Sequence, residues 1–259
     1  MKNVADEDVR RLLESQHDIN IDGDTVAQND QERASFDYTQ GRLRTQRAAL
    51  VIAVLAVRKE GVETQAARAA LAQAVKPAVD YYGFARSRSR SDLIDLDPLA
   101  PAPDPVAQAT LTREWEDAFG AAPSSIERLG IEEQIARLEA CCGLVSQSSA
   151  LAAHPATTQL RALVATANQA LVKKAKEVKD ETAAMAALRA ARAAFDLGDD
   201  AHALQVRSLL TGQGRIKLIA LALRSEDPDY KARRLANTPI TQDPLVEDLA
   251  PELTEPAGA

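Results

Sequence analysis

From Ala156 to Leu197 the chain holds neither proline nor glycine. Along that stretch Leu160, Val164, Ala167, Leu171, Val178, Met185, Leu188 and Phe195 keep near-heptad spacing, with Lys174 and Glu181 interrupting the row. Apolar residues at this period line one face of a long helix, and so narrow a stripe is covered by another helix. Some 40 residues at 1.5 Å each make about 60 Å of helix. That length predicts an elongated bundle, a kink near Asp180, or a coiled-coil partner.

Helix signals recur along the chain. Residues 5–16 read as a short helix, and a long helical region follows from about Asp30 to Tyr82. Gly61 is expected to break that region into a hairpin, Pro77 to kink it and Gly83 to cap it. Asp104-Pro105 has the form of a capped helix start, followed by Leu111, Trp115 and Phe119 on one face. Ser124 and Glu127 have capping-box spacing. Ile131, Ile135, Leu138, Cys142 and Val145 then form a second heptad-like stripe, ended by His154-Pro155. Gly198 is expected to end the long helix, with a new one from Asp199 to Leu210 and others over 215–224 and from Asp227-Pro228 through Leu235.

The fold class expected is therefore all-α: an elongated helical bundle with long, coiled-coil-like antiparallel helices and flexible acidic termini. A short hairpin or a loop is expected at 18–27. The predicted divisions are an acidic N-terminal arm (1–29), a first long helical hairpin (30–85), an Arg/Ser- and Pro-rich linker (86–104), the main bundle (105–224) and an acidic Pro-rich tail (225–259).

Composition narrows the chemistry. Aromatics are 3% of residues, so the core must rest on many small contacts between closely packed helices. Residues 1–40 carry ten acids against four bases and residues 225–259 eight against three, which leaves +4 for the middle of a chain whose net charge is −7. That balance argues against a general nucleic-acid binder. Arg42, Arg44 and Arg47, with Arg86, Arg88 and Arg90, are the residues from which a local basic patch would be built. The adjacent Cys141 and Cys142 would close almost no loop as a disulfide, so reduced thiols are expected. The acidic start lacks the form of a secretory signal, which points to the cytoplasm or to a particle assembled there. Ala48–Val57 is the strongest apolar run. It is too short for a transmembrane helix, and a helix surrounded by protein is expected there.

One loop has the composition of a ligand site. Asp18, Asn20, Asp22 and Asp24 alternate around Gly23, placing oxygen ligands at positions 1, 3 and 5 and a glycine at position 6. This run resembles the start of an EF-hand calcium loop, and the resemblance implies calcium bound by those four residues. It departs from that family at position 12, where Asn29 replaces the bidentate glutamate, and at position 8, which is Thr25. The same residues also read as a turn, because Ile19 and Ile21 alternate before Asp22-Gly23. Two further pairs, Glu14 with His17 and Asp199 with His202, have the acid-x-x-His spacing used in di-iron bundles, but further ligands are not identifiable.

No nucleophile elbow, phosphate loop, dinucleotide fingerprint or zinc spacing occurs. The expected function is thus that of a non-enzymatic structural or interaction protein, a helical assembly or scaffold component of a larger complex with protein partners or further copies of itself. A calcium-responsive regulator using 18–29 and a membrane-active helical protein are the alternatives.

Overall fold

A computed structural model of the chain describes residues 8, 11, 12, 15–95 and 104–223. Residues 1–7, 9, 10, 13 and 14 of the acidic N-terminal arm, residues 96–103 of the proline cluster, the tail at 225–259 and the expected helix through Leu235 lie outside these residues. The described chain is all-α, with no strand among the described residues. After a helical turn over 15–18 come α1 (Gly23–Val26), α2 (Asp30–Leu93), α3 (Pro105–Phe119), α4 (Pro123–Glu127), α5 (Ile131–Gln147), α6 (Ser149–Ala153) and α7 (Pro155–Gly212). A 3-10 turn (Ile216–Leu218) leads into α8 (Ile219–Ala222).

The long helices are longer than their sequence punctuation predicts. α2 is one helix of 64 residues and not a hairpin; it runs through Gly61, Pro77 and Gly83 and on into the Arg-Ser alternation assigned above to a linker. Its buried face explains why. Phe36, Gln40, Leu43, Arg47, Leu50 and Val54 are buried at alternating spacings of four and three. Thr64, Ala67, Leu71, Val75, Ala78, Tyr82, Ala85 and Ser89 continue at the same period. Tertiary burial of such a stripe outweighs local breakers. Pro77 sits on the exposed side, where its missing N–H falls away from the seam. Beyond Gly83, Arg86 and Arg90 lie one helical turn apart, and Arg88 pairs with Asp92 at 3.0 Å.

α7 likewise continues through Gly198, where an end was expected, to Gly212. Gly198 is buried, and a Cβ there would overlap the side-chain amide of Gln46. The glycine serves a close helix approach instead of a cap. Lys174, which interrupts the heptad row, is half-buried and donates to Glu132 Oε1 at 2.6 Å.

The chain divides into two compact units, one of 62–180 and one built from 1–61 together with 181–259. In the 62–180 unit, Leu71 to Ala85 of α2 pack with Trp115 and Phe119 of α3, Ile135, Leu138 and Val145 of α5, and Leu160 to Ala167 of α7. Asp104 caps α3 by accepting from the Val106 N–H at 3.0 Å, as its sequence predicts. The Trp115 indole donates to Ser89 Oγ at 3.0 Å. The α5 seam runs through Cys141, with Cys142 half-buried beside it and Ile131 left exposed. The Ser124–Glu127 signal belongs to the separate turn α4. The first turn of α5 is held instead by Glu133, whose carboxylate accepts from the Gly130 N–H.

In the other unit, the first part of α2 and the last part of α7 run antiparallel. Phe36 shares a core with Val206 and Leu210, while Leu43 to Val54 share one with Phe195 and Leu188. Leu12 and Ile19 of the N-terminal segment complete the second cluster. Asp8, which is buried, receives a two-pronged hydrogen bond from Arg192 at 2.7 and 2.6 Å.

Candidate functional site

The Asp-rich loop lies in the unit formed by 1–61 and 181–259, and it does not fold as a hairpin. Asp22 instead caps α1, its carboxylate accepting from the Asp24 N–H at 3.0 Å while the Thr25 hydroxyl donates to the Asp22 carbonyl. The turn is tethered by side chains from the long helices and their ends. Gln40 donates to the Ile21 carbonyl at 2.9 Å, Arg44 to Ile19 at 2.8 Å and Gln213 to Val26 at 2.8 Å. Backbone carbonyls that a strand partner would satisfy are taken by these long polar side chains.

The four residues proposed for calcium are placed differently from one another. Asp18 is buried, while Asn20 is exposed. Asp22 is occupied as a cap, and Asp24 pairs with the Arg33 guanidinium, which also holds Asp37. The carboxylates of Asp18, Asp22 and Asp24 do not converge within 4.8 Å of one another. Arg33 packs over Gly23, so its guanidinium lies beside the loop. The loop geometry is that of a capped helical turn, and no oxygen cage is formed.

Beside the loop is a cavity of about 420 Å³. His17, Asn20, Ile21, Asp22, Thr25 and Val26 line one side, and Leu210, Arg215, Leu218, Leu221 and Ala222 the other. His17 Nε2 lies 3.2 Å from the Leu221 carbonyl. Most of the lining is aliphatic, with Asp22 and Arg215 supplying opposite charges.

Among the described residues, neither His17 nor His202 joins a cluster of three possible metal ligands. His202 is fully buried, its Nδ1 3.2 Å from the Thr39 hydroxyl and its ring centroid 5.3 Å from that of Phe36. Burial pushes its pKa below the ordinary value; the Asp18 backbone opposes that shift and the Arg44 charge adds to it. His17 meets the Leu221 carbonyl, and Glu14 lies outside the described residues. The thiols are equally unsuited to act as nucleophiles at neutral pH. Burial, reinforced by Cys142, raises Cys141 to about 12, and burial raises Cys142 to about 11.

The arginines named as a basic patch are largely engaged in the fold. Arg44 and Arg47 donate to the Ile19 and Leu12 carbonyls. Arg86 donates to the Phe119 carbonyl, and Arg86 and Arg90 both lie over the Trp115 ring, at 5.3 and 5.1 Å. Among the described residues no helix is long and apolar enough to cross a membrane.

A feature missed in the sequence is the outer surface of the two long helices. Ala48–Val57 was expected to have protein on every side, yet Ala48 and Ala49 are exposed and Ile52 is 68% exposed. On α7, Leu197 and Leu204 are 64% and 62% exposed. Ala183, Ala186, Ala190 and Ala193 continue their row at three- and four-residue spacing, all exposed. The signal was present as a second apolar row beside the buried one, hidden because alanine counts equally as surface and seam.

Comparison with protein families, with curated proteins and with solved structures finds no match to this chain.

Proposed function

We propose that this chain is a non-enzymatic helical assembly protein, a scaffold component that works by binding other protein surfaces. The observation that carries this reading is the apolar segment Ala48–Val57. A helix that is apolar on all sides belongs in an interior. The chain's own core takes Leu50, Ala53 and Val54, and the side with Ala48, Ala49 and Ile52 is left to solvent. Contiguous apolar groups displayed along a regular helix face mark an interaction surface. The raised thiol pKa values and the capped, arginine-paired aspartates support a binding role over a chemical one.

The test is native purification of the full chain with light scattering and identification of bound proteins. A mass above one chain, or a stoichiometric partner, is expected. A strict monomer at micromolar concentration with no copurifying protein would overturn the reading.

A further inference from the structure

We propose that the exposed face of α7 over 183–204 binds a second copy of this chain, antiparallel, with the twofold axis beside the Ala193–Ala194 bond. This rests on the assembly reading above and names its partner. Three observations lead to it.

The first is the exposed row itself. At about 100° per residue, Ala183, Ala186, Ala190, Ala193, Ala194, Leu197, Ala201 and Leu204 fall on one side of the helix. All are exposed except Ala201, which is half-buried. Leu188, Arg192, Phe195, His202 and Val206 form the opposite seam, already covered by the chain itself.

The second is steric. In an antiparallel pair about that axis, each residue meets the one equally far on the other side of the Ala193–Ala194 bond. Leu204 then faces Ala183 of the second copy, Leu197 faces Ala190, and Ala186 faces Ala201. Every leucine meets an alanine, so large side chains fill the space left by small ones and the helices can approach closely.

The third is electrostatic, and it selects the same axis. Arg189, Asp196 and Asp200 lie together along one exposed flank of the row, where Asp196 also pairs with Arg11 at 3.7 Å and Asp200 is the freer acid. In antiparallel helices each flank meets its own counterpart. Arg189 is then placed between Asp196 and Asp200 of the second copy, and the reverse pair forms by symmetry. A parallel pair would set this flank against the opposite one, where Ala187 and Ala191 offer Arg189 no charge. The closed, self-complementary arrangement is that of a twofold interface.

The full-length protein is tested by sedimentation equilibrium. A dimer is expected. Leu197→Asp should weaken it about a hundredfold, because two charges enter an apolar seam. Arg189→Glu and Asp200→Arg should each weaken it roughly three- to tenfold. Mixing those two variants, or combining them in one chain, should restore pairing, which a merely structural defect would not do. Circular dichroism checks that each variant keeps its helicity. A dimer insensitive to Leu197→Asp, or one whose charge variants do not rescue each other, overturns the proposal. A monomer that still retains a different protein in native purification also overturns it, while leaving the assembly reading standing.

Discussion

Gly198 and Gln46 show how one missing side chain sets a helix approach. A Cβ at 198 would overlap the Gln46 amide, whose Oε1 is buried without a hydrogen-bond partner. Glycine inside a helix costs about 1 kcal/mol relative to alanine. Gly198→Ala alone gains that propensity but displaces Gln46, so its net effect should be destabilising. Adding Gln46→Ala removes both the clash and the orphaned oxygen. The double variant is expected to exceed the native protein by about 1 kcal/mol in chemical denaturation, and additive single effects would refute the contact.

His202 gives a pH dependence at the same scale. Its folded pKa is lowered by burial, so the unfolded chain takes up the proton first. Its contribution to stability is therefore complete above the ordinary value of 6.5 and declines as pH falls from there toward the lowered folded value. Thermal melts between neutral and mildly acidic pH should show His202→Leu losing less stability on acidification than the native chain. Equal slopes would exclude His202 as the sensing group. Neither the Gly198 approach nor the His202 burial was legible in the sequence, because each depends on a neighbour far along the chain.

At the scale of elements, α2 carries proline without breaking. Pro77 cannot donate to the Gln73 carbonyl, and a proline inside a helix costs up to about 3 kcal/mol. Its ring is on the exposed side, so replacement creates no cavity. Pro77→Ala is expected to stabilise the 62–180 unit by roughly 1–3 kcal/mol. Trp115 fluorescence is the natural readout, since that ring is 3% exposed in the same unit. An unchanged or lowered midpoint would mean that the proline is accommodated at no cost.

The same helix shows where sequence reading stopped. The α7 stripe was legible because its members are mostly aliphatic. The α2 stripe was not, because Gln40, Arg47, Thr64 and Ser89 occupy seam positions and read as surface. Each is accommodated by a specific polar partner: the carbonyls of Ile21, Leu12 and Glu177, and the Trp115 indole. Those partners come from elsewhere in the chain, so the polarity that hides the seam also fixes its register.

At the scale of the whole molecule, the 62–180 unit is a single run of chain, whereas the other needs two separated pieces. The fragment 62–180 contains its own clustered core around Trp115, Phe119 and Leu138. It is therefore expected to fold alone, with helical circular dichroism and a cooperative melt. A fragment lacking cooperativity would show that the core depends on the rest of α2 and α7.

Helical class, the heptad row of α7, the capped start of α3 and the low aromatic content of the core were all determined locally, by periodicity, capping chemistry and composition. Proline and glycine misled because their cost is local and small beside the burial of a long seam. Tertiary structure alone decided that α2 is one helix and that Asp22 and Asp24 serve a cap and an ion pair instead of converging as calcium ligands. It also decided which side of Ala48–Val57 and of the α7 alanine row stays uncovered. Apolar periodicity shows how many faces a helix can bury, and only the packed chain shows which of them its own core has used.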